Sequence, residues 1–563
     1  MSSTTLGAPV VAAAPHPPAE SAARTATVAM LMAIALGVAV RGYLVFSEPL
    51  PLNDGGLFFA MSRDLQAAHY RLPMFTSYNG GSIPYAYPPL GFYLTALLDD
   101  LTPLSLLGAY RVIPFLFSSF CLLAFATLAR RLLPRPADAA AATFVYALSP
   151  RSFIWLLMGG GVTRAPGVLF ALLALAALVR FYRSGAWRDA VMPTVFAALS
   201  VLSHLGTAPF IVMSAVLLLL AYGRHLRAVL GSVLIGAGTL LLTAPWWGTL
   251  IGRFGTAPLR AAFHTGRSVF TDPVTRDRAI GVLLRLAEPL TSEPFFPVIG
   301  ALAALGLVVC FLSRRWLLPA WVVIIALLDA RQGATFASVP IALLAGLGLT
   351  TMLLPALRAM EIPDISPKRR EAMRAVALAG LVAYAIAGAV VRRAALGHEG
   401  RLLRSLTPTD TAAMRWIGDH IPPTSQVLIV TGGANGWSGD RITEWFPIWS
   451  RRSSVATAQG YEWLTGGVFD LRKRGFERAQ VCAGRSTVCL DSAVTYLPPF
   501  THVYVSSLPD GGAKVPGLAL IRSLDADPRY RRLFQADSLH VLYVRSGGAA
   551  QVTALTQPAV SSR

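Results

Sequence analysis

Apolar runs of about 20 residues recur along this 563-residue chain, and about 20 are enough to cross a hydrocarbon core of about 30 Å. In lipid every backbone polar group has to be satisfied internally, which leaves helices or closed barrels. The runs do not alternate with the period of two that a barrel strand needs. The expected fold class is therefore a polytopic α-helical membrane protein. Composition agrees: 54% of residues are hydrophobic and 14% charged, against roughly 25% charged in a soluble domain.

Residues 1–24 are rich in Ala, Ser and Pro without periodicity, which predicts a disordered tail. They lack the basic start of a signal peptide. The first span is expected over Thr25–Phe46, and ten more near 106–132, 138–158, 165–182, 188–204, 207–222, 227–250, 295–312, 316–329, 335–356 and 373–392. That makes about eleven spans, in a transmembrane domain over 25–397 with two long loops at 47–104 and 251–294. The first loop carries two short amphipathic or apolar helices, from Gly55 to Ala68 and from Leu90 to Leu98, suited to the membrane interface.

A net charge of +20 invites a nucleic-acid reading. The cations argue otherwise, because they cluster between apolar runs: Arg130-Arg131, Arg180 and Arg183, Arg224 and Arg227, Arg314-Arg315, and Lys368-Arg369-Arg370. Clusters of this kind set membrane orientation. Starting from a cytoplasmic N-terminus, alternation puts every one of them inside. Both long loops and the C-terminal part then fall outside, in a multi-pass plasma-membrane protein whose partners include the bilayer and no nucleic acid.

From about His398 the composition becomes that of a soluble α/β domain, expected over 398–546 and followed by a flexible tail, 547–563. A helix begins at Pro408, and strands are predicted over Gln426–Thr431, Thr501–Ser506 and Ser538–Arg545. Cys482 and Cys489 lie in this domain with no His or Cys nearby to complete a zinc site. In an oxidising compartment the pair reads as a disulfide.

The residues that could carry chemistry start with Asp54, in Pro51-Leu52-Asn53-Asp54-Gly55-Gly56 at the exit of the first span. An Asp before two glycines suits an Asx-turn. A carboxylate in a partly desolvated cleft can also act as a general base. Downstream lies Tyr85-Ala86-Tyr87-Pro88-Pro89-Leu90. An odd number of spans, an acid directly after the first, two juxtamembrane helices, the Tyr-x-Tyr-Pro-Pro-Leu segment and an outer C-terminal domain together resemble the GT-C glycosyltransferases. These include the protein O-mannosyltransferases, the lipid A aminoarabinose transferases and the catalytic subunit of oligosaccharyltransferase. Within residues 41–114 the match is carried by Arg41, Asn53-Asp54, Arg63-Asp64, Tyr87-Pro88-Pro89 and Arg111.

The resemblance implies a sugar transferase whose first-loop acid, Asp54, is catalytic and whose donor is a sugar on a polyprenyl phosphate or diphosphate. The acceptor is a glycan, lipid or protein, and the reaction inverts the anomeric centre. Where relatives carry a second acid near the outer end of the third span, this chain reads Met158-Gly159-Gly160-Gly161-Val162-Thr163-Arg164. That leaves Asp54 alone or with an acid from a later loop, and leaves a divalent metal open. The glycine run itself has two readings, backbone N–H groups presented to phosphate or a tight turn between the third and fourth spans.

A leaving phosphate needs positive charge, and the guanidinium fork suits it. Arg111, Arg164 and Arg331 are candidates, with His204 at the end of the fifth span. Tyr85, Tyr87, Glu293, Glu444 and Trp445 are candidates for binding substrate. Thr291-Ser292-Glu293 weakly resembles an acidic outer-loop motif of oligosaccharyltransferases, and a helix cap explains it as well. A flippase of lipid-linked sugars is the alternative, but transporters place charges at mid-span and use repeated, broken helices. A non-catalytic assembly protein of the same fold is the other alternative.

Overall fold

The protein is described here from a computed structural model covering residues 19–265, 293, 297–328, 333–360, 365–391, 402–433, 436–506 and 517–546. Helix α1 runs Ala19–Phe46, six residues ahead of the expected start. Residues 19–24 are Ala, Glu, Ser and Arg, which propagate a helix readily beyond the apolar run. The first loop then holds α2 (Gly56–Ala67), a two-stranded ribbon of β1 (Phe75–Thr76) and β2 (Ile83–Pro84), and α3 (Leu90–Leu101).

The bundle continues with α4 (Leu106–Leu132), α5 (Pro136–Leu148), the short α6 (Ile154–Leu157), α7 (Gly161–Ser184), α8 (Val191–Ser203), α9 (Thr207–Tyr222) and α10 (Leu226–Phe254), then α11 (Ala257–Thr265). After the second loop come α12 (Val298–Leu312), α13 (Leu317–Leu328), α14 (Gly333–Gly348), a π turn over Leu349–Leu353, α15 (Leu354–Ala359) and α16 (Pro367–Val391). Every expected span range contains a helix. Among the described residues, six helices are long and apolar enough to cross a membrane: α1, α4, α7, α10, α16, and α14 continued through α15.

Helix α7 lies in the middle of the bundle, with most of its length buried against α4, α8 and α9. Helices α10 and α16 keep most of their apolar residues exposed, including Leu240, Leu241 and Val376, as lipid-facing helices do. A cation from α1 is wholly inside. Arg41 of α1 donates to Ser118 Oγ on α4 at 3.0 Å, to the Ala147 carbonyl on α5 at 2.8 Å and to Ser152 Oγ at 3.3 Å. These neutral acceptors satisfy a buried guanidinium and fasten three helices to the segment that leads to Gly159.

Residues 402–546 contain α17 (Pro408–His420), β3 (Gln426–Val430), α18 (Arg441–Ser450), β4 (Ser453–Ser454), α19 (Val468–Val481), α20 (Thr487–Ala493), β5 (His502–Ser506), α21 (Leu518–Ala526), β6 (Tyr530–Asp537) and β7 (His540–Arg545). The sheet order is β4-β3-β5-β7-β6, with β3 parallel to β4 and β5, and β7 antiparallel to β5 and β6. Alternation divides its side chains. Leu428, Val430, Val503 and Val505 pack with Phe476, Ala479 and Leu520. Val427, Ile429 and Tyr504 face the other way, into one core with Ile417 and Phe446 and, from the first loop, Leu57, Phe58, Met61 and Leu65. The first loop and the α/β domain thus share a hydrophobic core, and this shared core positions the site.

Cys482 and Cys489 are joined by a disulfide, their Cα atoms 5.4 Å apart. Strands β4 and β6 were not expected: β4 is two residues long, and β6 is an exposed edge without alternation.

Candidate active site

Residues 52–56 are held at both ends by parts of the chain remote in sequence. The Gly159 N–H donates to the Leu52 carbonyl at 2.7 Å, and the Asn53 N–H donates to the Arg404 carbonyl at 2.8 Å. The Trp445 indole N–H donates to the Asn53 carbonyl at 2.8 Å, and the Gly55 N–H donates to Glu444 Oε1 at 2.9 Å. Asn53 has φ 49° and Gly55 φ 115°, a left-handed pair that turns the chain sharply before α2. A Cβ at Gly56 would meet the Glu444 carbonyl at 2.5 Å, and one at Gly159 would strike the Asp54 carbonyl. Glycine is required at both places for the chains to approach.

Asp54 sits in this turn and is buried. Its Oδ1 accepts from the Gly160 N–H at 2.8 Å, at the start of α7, and its Oδ2 is ion-paired with the Arg164 guanidinium one turn later. Arg164 is itself held by the Trp155 carbonyl at 2.9 Å and lies over the Trp155 ring at 5.0 Å. The glycine run is therefore more than a turn between spans: it brings an amide to the carboxylate. Each carboxylate oxygen keeps a second lone pair.

Glu444, near the start of α18, is the second acid. It is fully buried, and burial first and the Asp54 carboxylate second push its carboxyl up to about 8. Gln459 Nε2 lies 3.5 Å from its other oxygen. Three buried side-chain atoms around this pair have no hydrogen-bond partner among the described residues: Nδ2 and Oδ1 of Asn53, and Oε1 of Gln459. An unmade buried hydrogen bond costs about 1–3 kcal/mol, so a buried Asn with an unused amide beside two acids is costly to keep. The sequence offers the Gly160 amide to phosphate, where the structure gives it to Asp54; it names Asn53 only beside Asp54 and assigns no role to Gln459. For Asn53 a signal existed, its place directly before Asp54. For Gln459 there was none.

The other candidates divide. Trp445 belongs to the site through Asn53. Tyr87 and His204 approach each other, with the Tyr87 hydroxyl 3.4 Å from His204 Nδ1. The Tyr87 ring packs on Phe58 at 4.6 Å and Trp463 at 5.5 Å, an aromatic cluster beside the start of α2. Arg164 is not a cation left open for phosphate, because the Asp54 carboxylate engages it. Arg111 also departs from expectation: it donates to the Glu48 carbonyl at 2.7 Å and lies over the Phe46 ring, clasping the end of α1. Tyr85 donates its hydroxyl to the Met61 carbonyl at 2.9 Å and is a packing residue. Glu293 caps α12, accepting from the Ile299 N–H at 2.9 Å and the Gly300 N–H at 3.4 Å. Arg331 lies outside the described residues, as does most of the second loop.

Among the described residues no three His, Cys, Asp or Glu side chains gather to hold a metal. Asp54 already has a guanidinium where a cation would bind, and Glu444 contributes the one other carboxylate. Among the described residues these donors do not fit a divalent ion held between acids.

No protein-family model and no curated protein sequence matches the chain. Solved structures do match. The archaeal oligosaccharyltransferase AglB from Archaeoglobus fulgidus, in complex with an inhibitory peptide and a dolichol-phosphate, is 14% identical with a TM-score of 0.54 over 85% of this chain and 69% of that one. The Archaeoglobus fulgidus oligosaccharyltransferase in complex with Zn and sulfate is 14% identical with a TM-score of 0.55 over 91% of this chain and 73% of that one. At this identity the likeness is one of architecture: the chain has the fold of these solved oligosaccharyltransferases.

Proposed function

We propose that the protein is an integral membrane glycosyltransferase that moves a sugar from a polyprenyl-phosphate-linked donor to an acceptor hydroxyl, with inversion. The observation that carries this reading is the Asp54 carboxylate, fixed by the Gly160 amide and Arg164 at the junction of the helical bundle and the α/β domain. In the step, the acceptor oxygen attacks the anomeric carbon and passes its proton to Asp54. The bond between that carbon and the phosphate oxygen breaks, and its electron pair leaves with the polyprenyl phosphate. Arg164 acts as a positioning residue that fixes the rotamer of Asp54. The Asn53 amide, with a free donor and a free acceptor, supplies hydrogen bonds to a sugar hydroxyl.

A lipid-linked donor fits a bundle with exposed apolar flanks, and the similar oligosaccharyltransferase was solved with a dolichol-phosphate. Arg331 remains the proposed cation for the leaving phosphate, with the Tyr87–His204 cluster on the substrate side. The N-terminus is placed in the cytoplasm of a plasma-membrane protein, with Asp54 and the α/β domain outside and eleven spans in all.

The test is transfer by the purified protein from radiolabelled polyprenyl-phosphate sugars to glycan, lipid and peptide acceptors. The expected result is a labelled product with the opposite anomeric configuration. Vesicle experiments in which the donor crosses the bilayer chemically unchanged, with no transfer to any acceptor, would overturn the reading in favour of a flippase.

A further inference from the structure

A polar cavity of about 520 Å3 lies further along α2 and α18 from the acids. It is lined by Phe59, Arg63, Leu107, Ile448, Trp449 and Arg451, with Arg415, Arg452 and Asp419 completing its wall. Helix α2 starts at the Asp54 turn and lines this cavity with Phe59 and Arg63, from its first and middle turns; α18 passes that turn at Glu444 and lines the cavity with Ile448, Trp449 and Ser450 of its last turn and with Arg451 beyond it. Seven residues separate Gly56 from Arg63 and Glu444 from Arg451, which is about 10 Å at 1.5 Å per residue. The cavity is therefore distinct from the Asp54 turn and shares its scaffold.

Its charge is lopsided: four guanidinium groups face one carboxylate. Arg452 is spent on protein acceptors, donating to the Ile421 carbonyl at 2.7 Å. Arg63, Arg415 and Arg451 make no ion pair among the described residues. Two of these are held flat by aromatic rings, Arg415 over Trp449 at 4.6 Å and Arg63 over Phe59 at 5.9 Å. Stacking fixes the plane of a guanidinium and leaves its edge of N–H donors for an anion. Arg451 sits in the left-handed region at φ 55° as the residue following α18, where glycine is the unstrained choice. The indole N–H of Trp449 is buried without a partner. The apolar part of the wall, Phe59, Leu107 and Ile448, belongs to the juxtamembrane α2, the first turn of the apolar α4, and α18.

We propose that this cavity is a second binding site that takes a phosphate-bearing headgroup, gripped by Arg63, Arg415 and Arg451. Several fork-shaped cations lining one cavity with a single carboxylate, Asp419, against them match a group with several anionic oxygens better than a single carboxylate. Two sources share that chemistry, an anionic lipid or a soluble phosphomonoester. The proposal does not depend on the chemistry assigned to Asp54.

The test uses the full-length protein in neutral detergent, titrated in parallel with phosphatidic acid, glycerol phosphate and phosphatidylcholine. Phosphatidic acid is expected to bind. If glycerol phosphate binds equally well, the phosphate alone is the ligand; if only phosphatidic acid binds, the acyl chains contribute along the apolar wall. Both results uphold the site. Arg415→Gln is expected to weaken binding at least tenfold. Arg451→Gly is expected to do the same without lowering the melting temperature, because it removes a charge and a strained backbone together. Asp54→Asn should leave binding unchanged, so loss of sugar transfer and loss of this site can be told apart. Equal binding of phosphatidylcholine, or undiminished affinity in both arginine variants, overturns the proposal.

Discussion

Two acids stand in loops at either end of the stretch from α4 to α10, and they are used in opposite ways. Glu293 fills its oxygens with the amides of Ile299 and Gly300, six and seven residues further along its own chain. Asp54 draws its partners from Gly160 and Arg164, 106 and 110 residues away, and lies beside Glu444 from another domain. A carboxylate answered by its own next helix is doing local work at a helix N-terminus. One that gathers donors from separate elements is held by the tertiary fold, and its position is fixed before any substrate arrives. The comparison shows that an acidic residue in an outer loop is not informative until its partners are known.

The sharpest way to break this comparison is to remove each negative charge with an isosteric amide. Asp54→Asn is expected to lower transfer by about 10²–10⁴-fold, the usual contribution of a positioned acid or base. It should do so without loss of folded protein in detergent. Glu293→Gln is expected to cost about 0.5–2 kcal/mol of stability, as other lost caps do, and to leave turnover close to that of the unaltered protein. Equal losses of transfer from the two changes would show that the distinction drawn from their partners is mistaken.

The same contrast explains what was legible in the sequence. Glu293 stood in the sequence only as a weak motif match that a helix cap explains as well, and the cap is what the structure shows. The helical bundle was readable almost throughout, since a run of 20 apolar residues carries its own structural instruction. Asp54 and Trp445 were readable as types and positions. The separation of 389 residues between Gly55 and Glu444 was not, because nothing in periodicity says which loop meets which. Arg164 illustrates the point: its sequence context suited phosphate binding, yet a buried carboxylate in reach claims the guanidinium first. Arg111 is similar, drawn to the exposed carbonyl at the end of α1. Strand β6, Tyr530-Arg-Arg-Leu-Phe-Gln-Ala-Asp537, is polar because it is an edge with one side open, so its pattern shows none of the alternation that reveals a half-buried strand.

Glu444 offers a finer probe of the two-domain site. Its carboxyl is raised from 4.5 to about 8 by burial and by Asp54. A group raised on folding gives stability that is fully present below its unfolded value, near 4.5, and is lost as pH climbs through its folded value. The loss accumulates between those limits at no more than about 1.4 kcal/mol per pH unit. Glu444→Gln cannot titrate and can still accept from the Gly55 N–H. Melting temperatures measured from pH 5 to 8 should therefore fall more steeply for the natural protein than for the Gln variant. Parallel curves would mean that Glu444 carries no linked proton, and that its contact with the first loop is packing alone.

The smallest effect on transfer is expected on the far face of the sheet, where the disulfide lies. Cys482 is buried among Phe476, Ala479 and Leu490, on the side of β3 and β5 turned away from the core shared with α2. Closing a loop with a sequence separation of 7 removes little freedom from the unfolded chain, worth about 2–3 kcal/mol. The double change Cys482→Ser and Cys489→Ser should lower the melting temperature of the α/β domain by several degrees. Below that temperature it should leave transfer unchanged, since sites on opposite faces with no common partner act independently. A parallel fall in transfer at low temperature would show that strain on this face reaches Glu444 through β3, making the sheet part of the device that positions Asp54.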